Sequence, residues 1–396
     1  MVLGREEIRF PRATIEGSMF VLFVLALEAL ACIRVVVRLV RTAGGTPVRA
    51  AIDPSGETIA AIVPVLDEEA RLGPCLAALL ASSGPLTEIV VVDGGSSDGT
   101  RDLVRAAATH DPRLRLIEAG PPPAGWNGKA WNLERGLRAV DADWIATVDA
   151  DARVGPELIA GAAARASRDG LAALSIATRQ LLGDFGSALL HPALLTTLVY
   201  RAGLPNVATG RPSAVQANGQ VFVARRDALV AADAFRTARA SRCEDVTAAR
   251  ALAAAGGRVG FYEGNAEVRM YDSWRDCAAN WPRSLTLRDH FTSGAQTWPA
   301  LADVLFAQAL PLPTLVLLLV AGDGIPGLRL ARTLALGLVM VRLGVLAGTR
   351  RAYPGVSLAY WLSPLADLPA LALLVRSALR RRHRWRGRLL VDESAA

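Results

Sequence analysis

From residue 58 to about 170 the chain alternates short, uninterrupted apolar runs with longer segments of helical period. The runs are TIAAIVPV (58–65), TEIVVVD (87–93), LRLIEA (114–119) and DWIATVDAD (143–151). Their Val/Ile content without polar alternation predicts strands covered on both faces, the parallel doubly wound arrangement. The intervening EEARLGPCLAALLAS, DGTRDLVRAAATH, GKAWNLERGLRAV and PELIAGAAARAS predict the covering helices. No GxGxxG follows the first strand, so the dinucleotide fingerprint is absent and a hydride-transfer enzyme loses its main support. From about 171 to 270 the pattern is less regular, with an apolar helix expected at 187–202 and a strand pair around VQANGQVFVAR.

The two ends read differently. Residues 19–40 form an apolar run of membrane-spanning length, and 302–321, 329–347 and 355–376 supply three more candidates, since about 20 residues cross a hydrocarbon core. A signal peptide is the competing reading of the first run, but its length and the lack of a small-residue cleavage site favour an uncleaved anchor. Glu28 and Arg34 lie inside it. An acid at the centre of a lone helix costs about 2.5–3.5 kcal/mol, so Glu28 should face another helix or a polar cavity, unless the helix lies shallow. Residues 273–292 are rich in Trp and Arg (Trp274, Arg275, Trp281, Arg283, Arg288) and suit an interfacial helix leading into the membrane.

Composition agrees with this division. Hydrophobic residues make up 52% of the 396 residues, more than a soluble protein carries, and the excess sits at the ends. Seven arginines in 376–388 suit anionic lipid on a cytoplasmic leaflet. No aromatic-rich basic fold surrounds them, which argues against nucleic acid. Cys32, Cys75, Cys243 and Cys277 show no CxxC pair and no histidine at ligand spacing, so neither a zinc site nor a disulfide framework is expected. Unpaired thiols fit a reducing, cytoplasmic location for the globular part.

Candidate chemistry gathers at strand ends, where open α/β sheets bind ligands. PVLDEE places Asp67 and Glu68 after the first strand, and VVVDGGSSDGT places Asp93 and a glycine turn after the second. Such carboxylates can accept hydrogen bonds from a base and ribose. Asp98 is better read as a helix cap. Asp149 and Asp151, one residue apart, would point to the same face if extended, and two acids there fit one divalent cation plus a ribose or phosphate. Lys129 is the only lysine, against 43 arginines, and its compact ammonium suits a phosphate or an acid of the site; Trp126 and Trp131 flank it. Glu244 and Asp245 open a helical stretch, where a carboxylate is either a cap or, if it faces the cleft, a general base.

PVLDEE, VVVDGGSSDGT, GWNGKAWNLERG, VDAD and CED, in this order, resemble the family 2 glycosyltransferases of GT-A fold over about residues 58–290. PPPAGWNGKAWN and the membrane segments look most like the branch that glycosylates membrane lipids, with carotenoid (diaponeurosporenoate-type) and hopanoid-associated transferases nearest. The resemblance implies an α/β GT-A domain, Rossmann-like, between terminal transmembrane helices. It implies that Pro64, Asp67, Glu68, Asp93, Lys129 and Asp149 bind a nucleotide sugar and that Asp151 binds Mg²⁺ or Mn²⁺ on its diphosphate. Asp245, with Glu244 beside it, becomes the catalytic pair in an inverting single displacement onto a lipid. Where processive relatives carry Q-x-x-R-W this chain has NWPRS, which argues against a polysaccharide synthase and leaves Trp281 and Arg283 as acceptor or diphosphate contacts.

The expected layout is an anchor at 1–50, a cytoplasmic GT-A domain at 51–295, a membrane region of two or three segments at 296–378 and a basic cytoplasmic tail at 379–396. Three crossings after the domain would put the tail on the opposite side, against the positive-inside tendency, so 355–376, interrupted by Pro364 and Pro369, is expected to be re-entrant or interfacial. UDP-glucose is the expected donor and a carotenoid-like lipid the favoured acceptor. A polyprenyl-phosphate sugar transferase and a non-catalytic membrane scaffold of GT-A fold are the alternatives.

Overall fold

The computed structural model describes residues 12–51, 56–285, 289–321, 327–380, 382–385 and 388–391. Arg288 and the end of the basic tail (392–396) lie outside the described residues. The chain starts with helix α1 (Arg12–Thr42) and then enters a β/α series. That series is β1 (Ile59–Val65), α2 (Glu69–Leu80), β2 (Leu86–Asp93), α3 (Thr100–Ala108), β3 (Leu114–Glu118), α4 (Gly128–Ala139), β4 (Trp144–Val148), β5 (Ala152–Val154) and α5 (Leu158–Arg168). β1 runs parallel to β2 and β4, and β2 parallel to β3, as the buried Val/Ile runs require. Residues of β1 alternate between two cores. Ile59, Ala61 and Val63 pack with Leu72 and Leu76 of α2 and Ile159 of α5; Ala60 and Ile62 pack with Leu133 and Leu137 of α4. Gly136 lets α4 lie this close, because a Cβ there would stand 2.5 Å from Ile62 Cγ2.

The second half breaks the parallel pattern. It contains β6 (Ala173–Gln180), α6 (Phe185–Ala202), β7 (Val207–Thr209), β8 (Val221–Arg225), α7 (Arg226–Ala231), α8 (Ala234–Thr237), α9 (Glu244–Ala254) and β9 (Val259–Val268). One sheet results, ordered β3-β2-β1-β4-β8-β6-β9-β5 with β7 on β9, and β8 is antiparallel to both β4 and β6. Only one strand forms in VQANGQVFVAR. Residues 215–220 instead form a loop whose polar side chains bond one another, as when Asn218 Nδ2 donates to Gln220 Oε1 at 2.9 Å. β4 ends at Val148, so Asp149–Asp151 is a turn closed by Ala152 N on Asp149 O at 3.0 Å, not the extended segment expected from the sequence.

The remainder is helical: α10 (Trp274–Leu285), α11 (Gly294–Val304), α12 (Pro311–Val320), α13 (Leu328–Thr349), α14 (Leu358–Trp361) and α15 (Asp367–Leu379). A final hairpin joins β10 (Arg382–Trp385) to β11 (Arg388–Val391). A π-helical turn at Leu305–Ala309 joins α11 to α12 ahead of Pro311. Among the described residues three helices are long and apolar enough to cross a membrane: Met19–Thr42, Ala295–Val320 and Leu328–Ala352. The 355–376 stretch is not one of them, because it breaks into α14, a 3₁₀ turn at Ser363–Ala366 and the 13-residue α15. Glu28 is fully buried and accepts a hydrogen bond from Thr314 Oγ1 at 2.6 Å, so the acid in the anchor faces α12. Arg34 and Arg38 reach Asp303 of α11. All four cysteines are free.

Candidate functional site

One cavity of about 990 Å³ opens at the carboxyl ends of β1 and β4 and runs to the last residues of α13. Pro64, Glu68, Lys129, Asp149, Asp151, Glu244, Asp245, Trp281 and Arg283 all line it, so the fold gathers these predicted residues from five separate segments. Two others stand apart. Asp67 lines a smaller adjoining cavity of about 410 Å³, shared with Glu68. It adopts a left-handed backbone (φ 54) while Oδ1 accepts from Ser97 N at 2.7 Å. Asp93 is only 1% exposed, and its carboxylate accepts from Gly95 N, Ser96 N and Ser96 Oγ. Asp93 therefore builds the glycine turn that borders the cavity and does not itself line it. Asp98 accepts from Thr100 N at 3.0 Å and Glu69 N at 3.1 Å, tying the starts of α3 and α2 together.

Lys129 is placed by the start of α4. Asn127 caps that helix through Ala130 N at 2.7 Å, which leaves Lys129 in the first turn facing the cavity. Its Nζ stands 2.7 Å from Asp149 Oδ1 and 3.0 Å from Glu244 Oε1. Burial pulls the ammonium pKa down, but Asp149, Glu244 and Asp245 outweigh it and hold the pKa well above its ordinary value. For Asp149, burial raises the pKa to about 7 against the pull of Lys129, with Asp151 adding to the rise. Burial also raises Asp151, and Glu68 pushes it further in the same direction.

This cluster passes a simple test for a divalent metal. Burial raises the pKa of both Asp149 and Asp151, and Asp151 is repelled by Glu68 and in turn repels Asp149, so a cation would relieve all three acids. Their hard oxygen atoms suit Mg²⁺ or Mn²⁺. Among the described residues no three His, Cys, Asp or Glu side chains converge on one point, so the protein offers one or two ligands and leaves the rest to phosphate and water.

On the other side of Lys129, α9 begins at Glu244 with Cys243 as its N-cap residue. Asp245 is firmly oriented: Oδ1 accepts from Val246 N at 2.8 Å and Cys243 Sγ at 3.0 Å, and Oδ2 from Gly219 N. It is thus both a helix-start ligand and a cavity residue. Gly219 is required by close approach, since a Cβ there would lie 2.8 Å from Lys129 Nζ and 2.9 Å from Asp245 Oδ2. Thr178, Asn218 and Gln220 also line the cavity, and sequence reading missed them. For Asn218 and Gln220 the signal was the polar run QANGQ before an apolar strand, easily mistaken for part of a hairpin.

At the far end Trp281 stacks on His191 of α6, with ring centroids 3.9 Å apart and planes at 23°. His191 Nδ1 shares a 2.9 Å hydrogen bond with Tyr353 Oη. Burial holds the His191 pKa down to about 3, so the ring is neutral. Trp281, 7% exposed, has one face covered by this imidazole. Burial lowers the Arg283 pKa, with Glu244 pulling the other way. Trp126 lines the cavity and meets Trp131 edge-on at 5.4 Å, whereas Trp131 Nε1 donates to Ala119 O at 3.1 Å.

Comparison with known proteins follows the same outline. Residues 60–208 match the family described as glycosyl transferase family 2. The succinoglycan biosynthesis protein ExoA of Rhizobium meliloti is 31% identical over 90 residues, 22% of this chain and 26% of that protein. The lipopolysaccharide core biosynthesis glycosyltransferase LpsC of the same organism is 34% identical over 113 residues, 26% of this chain and 37% of that protein. The chain thus spans between about a quarter and two fifths of these relatives. A mannosyltransferase, PcManGT from Pyrobaculum calidifontis, solved in complex with GDP-Man and Mn²⁺, superposes with a TM-score of 0.54 at 21% identity, over 91% of this chain and 99% of that one. The chain has a GT-A fold, and its residues 60–208 are similar to glycosyl transferase family 2.

Proposed function

We propose that this protein is a membrane-bound inverting glycosyltransferase that moves a hexose from a nucleotide sugar to a lipid. The observation that carries the reading is the single cavity joining the acids at β1 and β4 to the end of the membrane-length helix α13. A donor held among those acids and an acceptor rising from a bilayer meet in that space. Relatives named as glycosyltransferases, and a neighbour of the same fold solved with a nucleotide sugar, support the donor half.

In this reading Glu68, Pro64 and the Asp93 turn receive the nucleotide, and Asp149 faces the sugar and ribose. Asp151, with Glu68 and Asp149 nearby, is the candidate ligand for a divalent ion, which when bound would offset charge building on the diphosphate. Lys129 keeps Asp149 and Glu244 at a fixed spacing between the donor and acceptor sides. An acceptor oxygen attacks the anomeric carbon from the side of Glu244 and Asp245, and configuration inverts. Asp245 is the candidate base where the acceptor arrives as a hydroxyl. The resemblance favours UDP-glucose as donor and a carotenoid-like lipid as acceptor. Trp281 supports a lipid over a growing polysaccharide, because His191 covers one face that a sugar ring would otherwise stack upon.

Three crossings, one before the domain and two after, put the domain and the Arg-rich tail on one side, and the positive-inside tendency makes that side cytoplasmic. The cell membrane is therefore the proposed location. The test is to incubate the detergent-purified full chain with UDP-glucose, Mn²⁺ and a total lipid extract of its host, and to seek lipids heavier by one hexose. A new hexosylated species is expected; no product and no nucleotide release from any sugar nucleotide would leave the scaffold alternative standing.

A further inference from the structure

One part of the cavity wall is polar but carries no charge. Thr178 and Gln180 stand two residues apart on β6, so their side chains share one face of the strand. Asn218 and Gln220 meet them from the loop before β8, and the side chains of all four residues belong to the wall. That loop is gripped from β6, because Ser175 Oγ donates to Asn218 O at 2.9 Å and accepts from Asn218 N at 2.8 Å.

The bonds within this group run in one direction. Gln180 Nε2 donates to Thr178 Oγ1 at 3.0 Å, Thr178 Oγ1 donates to Gln220 Oε1, and Asn218 Nδ2 donates to the same oxygen at 2.9 Å. Asn218 cannot turn over, since its Oδ1 accepts from Gln220 N at 2.7 Å. A flipped Gln220 would set its NH₂ against that of Asn218, and a flipped Gln180 would set its oxygen against Thr178 O, which Nε2 now meets at 3.3 Å. Left over are an acceptor, Gln180 Oε1, and a donor, Gln220 Nε2, neither with a hydrogen-bond partner among the described residues. Gln180 is 8% exposed and Gln220 6%, so an amide edge unpaired here is costly unless a water or a ligand bonds it.

The backbone of the loop says what that ligand is. Asp149 N donates to Gln220 O at 3.1 Å, and Gly219 N, one residue earlier, donates to Asp245. The uncharged strip is thus tied to the acid after β4 and to the acid at the start of α9, and an anionic group there would meet both carboxylates. A sugar hydroxyl adds no charge and can donate and accept at once, which matches what the relay leaves free.

We propose that Gln220 and Gln180 select the transferred sugar, Gln220 Nε2 donating to one of its hydroxyl oxygens and Gln180 Oε1 accepting from a hydroxyl of the same ring. The inference rests on the transferase reading above and adds to it the side chains that tell one hexose from another. Hexoses differ in the direction of single hydroxyls, and a buried amide that cannot turn over rejects a ring whose hydroxyl is missing or misplaced. The crowded acids serve the diphosphate end, which every sugar nucleotide shares, so they carry no such information.

The experiment uses the detergent-purified full chain with Mn²⁺, the host lipid extract and UDP-glucose, or whichever sugar nucleotide the extract assay finds active. That donor is compared with its monodeoxy analogues lacking the hydroxyl at C2, C3, C4 or C6 in turn. Wild type should lose about tenfold or more in kcat/KM on at least one analogue, the effect of one hydrogen bond whose buried partner is left unpaired. Gln220→Met, similar in length but without the amide, should lose about as much on the parent donor and nothing further on that analogue, so the discrimination disappears. Gln180→Met should erase the penalty for a second hydroxyl, the one that donates. Intrinsic reactivity of each analogue cancels, because its ratio to the parent is compared between wild type and variant. The rise in Tm with UDP and Mn²⁺ is the control for folding, and Gln180→Met, which leaves the Asn218–Gln220 bond intact, covers the case in which Gln220→Met fails it. Discrimination that survives in both variants, or a loss equal on every donor, overturns the sugar-selecting assignment alone. A wild type that turns over no sugar nucleotide overturns the transferase reading, and this assignment with it.

Discussion

In the proposed reading, the donor side and the acceptor side of the cavity are built on different plans. On the donor side, acids follow directly from parallel strands: β1 delivers Glu68 and β4 delivers Asp149 and Asp151, so position in sequence and position in space coincide. On the proposed acceptor side, a helix start (Asp245), the end of α10 (Arg283) and the end of a membrane-length helix (Arg351) meet from distant parts of the chain. A rigid sheet fixes the donor chemistry, while helix packing sets what lies opposite it. The two sides should therefore respond differently to substitution.

Asp151→Ala is the most severe test. It removes the candidate metal ligand from a crowd of acids, so transfer should fall by about 10²–10³ or more. Stability should hold or rise, because Glu68 and Asp151 repel. Kinetics and a melting curve on one preparation check both halves of this statement. Activity retained with Mn²⁺ present would remove Asp151 from the metal site.

His191→Ala attacks the other side. It removes a fully enclosed ring that joins α6, Trp281 and Tyr353, so it should cost about 2–4 kcal/mol through the cavity left behind. Acceptor KM should rise as Trp281 loses its support, while the Kd for nucleoside diphosphate stays within about twofold, as expected for sites without shared partners. An equal loss on the donor side would show that the two sides are one cooperative unit.

A pH titration separates the sides without mutation. Burial raises Asp149 from 3.8 to about 7 in the ligand-free protein. A carboxyl whose folded pKa is raised favours folding when protonated, so its contribution to stability declines as pH rises from about 4 through 7. Metal and donor need the carboxylate, so their binding should strengthen over the same interval, by at most about tenfold per pH unit. Ligand-free Tm and donor-induced Tm shift should thus move in opposite directions between pH 6 and about 8, with proton release on binding measurable by calorimetry in two buffers. A donor affinity flat across that range would remove Asp149 from the contact.

What the sequence disclosed follows the same division. The strands of 58–119 and their helices were readable to within a residue or two, because a strand buried on both faces must be apolar throughout and must end where the ligand site begins. Glu68, Lys129, Asp149 and Asp151 came with them. Period could not reveal that β4 stops before Asp149, since a turn and a strand both accommodate V-D-A-D. The loop at 215–220 was misread for a similar reason: its polar residues bond one another instead of forming a ladder. Arg351 carried no signal at all. It is one arginine among 43, and only the packing of the 3₁₀ turn Arg350–Ala352 against β6 brings it to the cavity.

Asp98 marks the edge of the comparison and gives the smallest effect. It lies in the same VVVDGGSSDGT run as Asp93, close enough to be taken for a donor contact, yet its bonds go to Thr100 and to Glu69 N. Asp98→Ala should therefore cost about 1 kcal/mol, the value of a lost helix-start ligand, with kcat/KM for the donor unchanged within about twofold. Burial is the largest single influence and acts against its charge, but the bonds from Thr100 and Glu69 together prevail and lower its pKa. A carboxylate with a lowered folded pKa stabilises above its unfolded pKa and loses that contribution as pH falls through the folded one. The stability difference between wild type and Asp98→Asn should thus be full at pH 6 and shrink below about pH 4. A loss of donor affinity larger than the loss of stability would move Asp98 from the scaffold into the site, and the donor side would then extend one loop further than the cavity wall shows.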